Sequence, residues 1–413
     1  MNFLNKKQIE NIDKKFQTPI YVYSEDKLLE AADNFLAFPN AFWHKVRYAM
    51  KANSNINILK IFKNKGLKID CSSEYEVLRA LNAWFLESDL QISGQETPST
   101  LWELIDKWVS IVATSLKQLK AIWITRPWIK IWVRINPWMW SWAFKAISTW
   151  GETSAFGIWH EYIPEIKWIA AKYNLEISKI HIHIGSENTP ESWTKSANIG
   201  LDFIRQFETA NCLDMWGWFK MAIMNYEKSA DLQLIGKSVA EKFQEFYEET
   251  WRKIELEVEP WKYMVINSCS VIAKVDDIVN TGLEGYKFIR TNTWMTEMPR
   301  VSMYWIQQPI TVINNSNEKE DYVVVWHCCE SGDILTCKLY DQEVLESISL
   351  PKVSVWDTIV IDGTWAYNSS MSMKNYNSFP EAWELLIRKN GEILEIRKRQ
   401  KLEDIWKNEI EVI

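Results

Sequence analysis

The chain has 413 residues, 47% of them hydrophobic and 24% charged, with a formal net charge of −7 at pH 7. That length can bury a large core and suggests two domains, and the scattered Lys and Arg, with no basic block, argue against nucleic acid or an anionic membrane as partner. No run approaches a membrane span, Met1 to Lys7 lacks an apolar signal segment, and the six cysteines show neither metal spacing nor a disulfide framework, so a cytoplasmic protein with reduced thiols is expected.

Strand and helix signals alternate over the first two-thirds. Residues 20–23 read as a short strand, and Ser24 caps a helix to about Phe38. A strand at 46–49 precedes a helix at 56–62. A strand at 68–71 precedes Ser73-x-x-Glu76, a capping box opening the helix 77–81. After 90–93, Thr100-x-x-Glu103 is a second capping box, and 110–112 leads to a helix from Ser115. Strands follow at 129–135 and 180–184, then a helix from about Thr194 to Phe207. A strand at 212–215 precedes a helix over 238–251, and 254–258 is a further strand. About eight strand–helix pairs in series predict an α/β fold built on a parallel (β/α)8 barrel. Past Val265 the pattern changes to short β runs at 322–325, 334–339, 358–361, 384–387 and 393–396, a mostly antiparallel β domain. The expected division is a barrel over 26–265 and a β-rich domain from 1–25 and 266–413.

Trp occurs 25 times and Gly only 13. A chain of this length ordinarily carries about 7% Gly, roughly 29 residues, and the two types together come close to that share. The tryptophans also stand where small residues belong. Trp138, Trp140 and Trp142 alternate, Trp356 precedes Asp357 in a turn, and Trp261 follows Glu259-Pro260. Trp216-Gly217-Trp218-Phe219 follows an apolar strand. Turns with positive φ, and loops whose N–H groups approach an anion, want glycine there. The pattern reads as tryptophan standing for glycine, as follows if UGA codons read as glycine in the source organism were translated as tryptophan. The alternative is a truly Trp-rich chain. Trp102 and Trp193, in helix-like contexts, could be genuine tryptophan.

Barrel active sites form at the C-terminal ends of the strands. Lys51 follows 46–50 directly, where a desolvated amine can form a Schiff base, although a lysine taken alone reads as surface. His181 and His183 share a face at period two, as functional, structural or metal-binding histidines. No carboxylate or Cys at a matching spacing supports a metal, and none is expected. Trp216-Gly217-Trp218, read as three glycines, makes an anion cradle. Glu259 ends a strand before Pro260 and could hold a protonated ring nitrogen, or be a surface glutamate beside a turn. By itself the Cys328–Asp333 stretch reads as a hairpin turn with buried Cys, and Tyr367 as core.

Together these residues resemble the fold-type III pyridoxal-phosphate decarboxylases, most closely the diaminopimelate decarboxylases among them, over nearly the whole chain. Tyr48-Ala49-Met50-Lys51-Ala52-Asn53 looks like the cofactor-lysine motif, and His183-Ile184-Gly185-Ser186 like the motif whose histidine stacks on the cofactor ring, with Ser186 beside it. Residues 216–219 (Trp216, Gly217, Trp218 and Phe219) look like the phosphate loop, and Glu259-Pro260-Trp261 like the motif whose Glu binds the pyridine nitrogen. Cys329-Glu330-Ser331-Gly332-Asp333 is the most specific element, and Trp365-Ala366-Tyr367 matches the tyrosine that contacts the phosphate. Arg300 and Tyr304 look like the family's substrate-binding pair.

The resemblance implies an alanine racemase-like architecture, a (β/α)8 barrel with a C-terminal antiparallel β domain, and pyridoxal 5'-phosphate as cofactor. It implies decarboxylation of meso-2,6-diaminopimelate to L-lysine and CO2, the last step of lysine biosynthesis. Glu330 would read the distal amino group and Arg300 the distal carboxylate, and Cys329 would donate a proton across a homodimer with shared active sites. There are departures. Lys262 stands where the family usually has Arg, Asn292 replaces a common Asp, and Phe379 an Arg. The alternatives are a sister decarboxylase acting on ornithine, arginine or carboxynorspermidine, a racemase of the same fold type, or a catalytically dead scaffold. The last follows if the indoles at 216, 218 and 261 are real, because they should block the phosphate.

Overall fold

The strands His44–Ala49, Lys68–Cys71, Leu90–Ile92, Ser110–Ala113, Lys130–Asn136, Glu176–His183, Cys212–Trp216 and Glu255–Glu259 pair in parallel, each with the next. The last returns to the first through Leu256–His44 and Val258–Val46, closing a parallel barrel. The computed structural model describes residues 3–125, 129–137, 151, 154–183, 189–293, 295–304, 306–325, 327–339, 341–364 and 366–412. Two compact units result: 29–221 with 228–264, which holds the barrel, and 1–28, 222–227 and 265–413.

Helices follow the barrel strands, several with a local cause. Asn55 accepts from Asn57 N–H and opens Ile56–Asn64, and Ser73 accepts from Glu76 N–H and opens Glu74–Asn82. The Glu76 carboxylate reaches Ser72 N–H at 2.6 Å, one residue short of the reciprocal box. The second expected box is not made. Thr100 gives its N–H and hydroxyl to Glu74 at 3.1 and 2.7 Å and does not cap Leu101–Asp106. The helix expected over 238–251 runs Leu232–Thr250, because Asp231 caps it through Leu234 N–H. Gly236 lies inside it, where a Cβ would meet Pro39 Cδ at 2.4 Å, so packing explains the glycine.

Strands alternate their side chains between two faces. In the barrel strands Ile69, Leu90, Ile92, Ile180, Ile182, Leu213, Met215, Leu256 and Val258 are buried apolar residues. Their polar neighbours Arg47, Asp70, Gln91, Lys179, His181, Asp214, Glu257 and Glu259 are equally buried and meet one another.

In the other unit, Ile20–Ser24 pairs antiparallel with Cys269–Asn280 and parallel with Trp383–Ile387. Thr358–Asp362 runs antiparallel to Cys269–Asn280 and to Ile310–Ile313, giving a mostly antiparallel sheet. Ile9 and Ile12, on the helix Lys6–Lys15, pack with Ile20, Val22, Ile272, Val360 and Leu385 as its core. The run expected over 334–339 is a strand only at Cys337–Lys338, with one bridge from Ile334 to Val325. No helix among the described residues is long and apolar enough to cross a membrane.

Candidate active site

Lys51 sits in the 3-10 turn Met50–Ala52, directly after the strand His44–Ala49. Burial lowers its pKa below that of ordinary lysine, Asp70 works against this, and Arg134 adds to it. His183 and Glu259 are the last residues of their strands. Burial, then the cations Arg134 and Lys51, holds the His183 imidazole well below its usual pKa, so it is neutral. Lys51, His183 and Glu259 thus stand at the same end of one barrel, where the strand direction delivers them.

Glu259 is tied to the barrel interior. Gln91 Nε2 donates to its Oε1, and Gln91 also donates to Asp70 at 3.1 Å. The Glu259 Oε2 has no hydrogen-bond partner among the described residues and lies 3.6 Å from His181 Nε2. Burial, then the neighbouring Asp214 and Asp70 carboxyls, pushes Glu259 well above the ordinary carboxylate range. A cation placed against Oε2 would reverse that balance. Beneath lies a charge network. Lys179 contacts Asp214 at 3.1 Å, Gln91 at 2.9 Å and Glu257, and Arg47 holds Glu257 at 2.7 Å. The two cations keep Glu257 ionised against its burial.

Trp216 ends the strand Cys212–Trp216, beside His183 and Glu259 in register. Its indole centroid is 3.8 Å from the His183 ring and 4.4 Å from Lys51 Nζ. Trp261 stacks over it at 6.4 Å, with 22° between the planes. Gly217 is buried, and buried Lys262 lies 5.4 Å from the Trp218 ring. The Nε1 atoms of Trp216 and Trp218 are buried without a hydrogen-bond partner among the described residues. Ser186 lies outside the described residues, as do Ile184, Gly185, Trp138, Trp140, Trp142 and Trp365.

The remaining expected residues belong to the other unit. Buried Arg300, on the short helix Pro299–Tyr304, has its guanidinium 5.5 Å from the Tyr304 ring and 5.7 Å from the Tyr367 ring. Its Nη1 donates to the Ala366 carbonyl at 3.5 Å. Cys329 and Glu330 are exposed on a turn. Cys329 N–H donates to Asn377 at 3.2 Å, and Asp333 accepts from Cys328 N–H at 3.2 Å. Asn292, in place of the usual Asp, donates to Thr18 Oγ1 at 2.7 Å, and Phe379 stacks on His327 at 4.0 Å.

Sequence reading missed the interior partners Asp70, Gln91, Arg134, Lys179 and Asp214. Their signal was available as charged or amide residues spaced two apart, or set between apolar neighbours, as in Ser178-Lys179-Ile180-His181 and Leu213-Asp214-Met215.

Residues 28–266 match the family model described as "Pyridoxal-dependent decarboxylase, pyridoxal binding domain". The chain is 32% identical over 419 residues to the diaminopimelate decarboxylase of Buchnera aphidicola subsp. Acyrthosiphon pisum, covering 98% of this chain and 97% of that one. It is 26% identical to the diaminopimelate decarboxylase of Streptomyces coelicolor, with 95% and 90% covered. Among solved structures, a diaminopimelate decarboxylase of Helicobacter pylori complexed with L-lysine superposes with a TM-score of 0.85 at 27% identity, covering 97% and 98% of the two chains.

Pyridoxal phosphate fits half of these residues. Lys51 offers the amine, His183 a neutral ring face, and Glu259 an unpartnered buried oxygen. The phosphate side does not fit. The Trp216 indole lies against both the His183 ring and Lys51 Nζ, and Trp218 and Trp261 bring two more indoles to the loops that would cradle an anion.

Proposed function

The chain belongs to the pyridoxal-dependent decarboxylases, and from that membership we propose that it converts meso-2,6-diaminopimelate to L-lysine and CO2 with pyridoxal 5'-phosphate. The observation that carries this reading is the convergence of Lys51, His183 and Glu259 at the C-terminal ends of strands in one barrel, in a chain that aligns end to end with diaminopimelate decarboxylases. When bound, pyridoxal phosphate supplies the sink for the electron pair left as CO2 departs.

The chain's own residues then have separate tasks. Lys51 is the amine that would hold the cofactor, and its lowered pKa favours the neutral, nucleophilic form. Glu259 Oε2 would face the ring nitrogen and keep a proton there. His183 would lay an uncharged face against the ring. With glycine at 216, 218 and 261, Ser186, the backbone at 216–218 and 261, Lys262 and Tyr367 would hold the phosphate, Lys262 as a point charge rather than a fork. Arg300, a buried cation beside Tyr304, would bind the distal carboxylate, and Glu330 the distal ammonium. Cys329 of the partner subunit would return the proton to carbon. The same reading makes the enzyme a cytoplasmic homodimer with shared active sites.

The test is CO2 release by the chain carrying glycine at 216, 218 and 261, from diaminopimelate and from ornithine, arginine and carboxynorspermidine. Preference for diaminopimelate is expected, and preference for another substrate would replace the reading. One observation favours a second reading: the Trp216 indole beside Lys51 and His183. If that indole is native, the chain is a non-catalytic relative.

A further inference from the structure

Three helix ends in the barrel unit are built alike. After Ile56–Asn64, Gly66 N–H donates to Lys63 O at 2.9 Å and Leu67 N–H to Phe62 O at 3.1 Å. After Glu74–Asn82, Trp84 N–H donates to Leu81 O at 2.8 Å and Phe85 N–H to Ala80 O at 3.3 Å. After Leu101–Asp106, Trp108 N–H donates to Ile105 O and Val109 N–H to Leu104 O, both at 3.0 Å. This pair of bonds is the Schellman motif, whose pivot takes the left-handed conformation and is usually glycine. The pivots have φ of +83° at Gly66, +69° at Trp84 and +66° at Trp108. One is glycine and two are tryptophan.

Two further tryptophans share the conformation. Trp251 ends the helix Leu232–Thr250 at φ +61°, ψ +14°, with its N–H on Tyr247 O at 2.7 Å. Trp356 has φ +74° in the turn closed by Asp357 N–H to Ser354 O at 3.1 Å, at the position where a type II turn requires glycine. The other described non-glycine residues with positive φ are Asn174, Asn375, Asn377, Ser378 and Tyr367, so asparagine, the tolerant type, is the commonest of them. Packing accounts for little of the four tryptophans: Trp84 meets Lys60 Nζ at 3.7 Å and Trp251 the Tyr247 ring at 5.7 Å, yet the four are 68%, 80%, 78% and 69% exposed at 84, 108, 251 and 356. A left-handed backbone and an exposed indole are each unfavourable to tryptophan, and glycine removes both conflicts.

Trp193 is the contrast. It is fully buried in the helix Pro190–Gln206 and stacks on Phe219 with centroids 4.2 Å apart. There the indole fills space, and a glycine would leave a cavity.

We propose that the functional protein carries glycine at 84, 108, 216, 218, 251, 261 and 356, and tryptophan at 193. UGA is the codon that joins the two residues: one decoding inserts tryptophan and another glycine. The positions 216, 218 and 261 rest on the cofactor reading given above, whereas the positions 84, 108, 251 and 356 rest on backbone conformation and exposure. With glycine at 216, the gap between His183 and Lys51 opens, and with glycine at 217 flanked by glycines the loop's N–H groups can approach a phosphate.

The experiment is peptide mass spectrometry of the protein purified from its own cells, beside the coding DNA. Glycine at all seven positions, with TGA codons there and TGG at 193, is the expected result. Tryptophan at any of the seven overturns the proposal. A second measurement uses recombinant protein with pyridoxal phosphate alone. The chain as written should show no absorbance of lysine-bound cofactor. The W216G/W218G/W261G variant should show it, and adding Lys51→Ala should abolish it. A triple variant that keeps native circular dichroism yet takes up no cofactor would overturn the assignment at those three positions. Cofactor uptake without CO2 release from diaminopimelate would leave the glycine assignment standing and count against the proposed substrate.

Discussion

Lys51 Nζ lies 4.4 Å from the centre of the Trp216 indole. A cation over an indole is held in its charged form, and such a contact is worth about 2 kcal/mol when desolvated. Burial acts in the opposite direction and lowers the Lys51 pKa. Replacing Trp216 by Gly removes the first influence and keeps much of the second. Reaction of Lys51 with a small aldehyde at pH 8, trapped by borohydride, should therefore rise about tenfold in W216G. An unchanged labelling rate would mean the indole does not hold the amine.

The buried charges below the site make a different prediction. Lys179 is the shared partner of Asp214 and Glu257. Lys179→Met would leave two buried carboxyls with less compensation, a loss of about 3–5 kcal/mol. Urea unfolding should show the midpoint falling while Lys179→Arg falls less. A neutral result for Lys179→Met would mean the pair is held by Arg47 alone.

Much of this barrel was legible as sequence. Lys51 and Glu259 could be placed at strand ends because the β-type run 46–50 stops at Lys51 and Pro260 follows Glu259, whereas the strand expected over 180–184 ends at His183. The interior network was not read, because a buried charge in an apolar strand looks like a local exception until its partners on other strands are known. Lys179 makes sense only once Asp214 and Glu257 arrive beside it. Thr100 shows the opposite failure. It does stand at the helix N-terminus, but its backbone is not extended and its N–H and hydroxyl go to Glu74, 26 residues earlier, so the box is not made. Tertiary contact overrode a local pattern in both cases.

Asp333 gives a pH dependence. Burial pushes its carboxyl from the ordinary 3.8 up to about 9. The folded state then holds a proton that the unfolded chain releases, so the contribution of Asp333 to stability is greatest below about pH 4 and declines as pH rises toward about 9. Asp333→Asn keeps an acceptor for Cys328 N–H and removes the titration. The variant should be close to the parent at pH 4 and more stable by several kcal/mol, on the order of 3 or more, at pH 8. Parallel stability–pH curves would refute this.

The helix ends predict stability changes of opposite sign. Trp84→Gly and Trp108→Gly should each stabilise by about 0.5–1 kcal/mol, because relief of a left-handed L-residue outweighs glycine's extra freedom when unfolded. Trp84→Ala retains the Cβ and should gain nothing. Gly66→Ala should lose about 1 kcal/mol, although a Cβ there meets no atom within 4 Å. Denaturant midpoints for the four variants check the set.

The proposed shared sites predict complementation. Lys51→Ala and Cys329→Ala chains, each inactive in a background with glycine at 216, 218 and 261, should regain about a quarter of the parental activity when mixed and reassembled, since random pairing of two chains leaves one intact site in half of the dimers. Activity that stays at the level of the separate variants would remove the shared-site arrangement.

A torsion angle near +70° is normally a statement about sterics, but at Trp84 and Trp108 it also records how a messenger was read. The choice of expression host then becomes a chemical variable. A cell that inserts an indole at position 216 makes a chain whose lysine is capped from within, whereas a cell that inserts hydrogen there makes a chain open to its cofactor. The same gene would yield an inert protein or a catalyst, with the ribosome's decoding of a single triplet as the only difference.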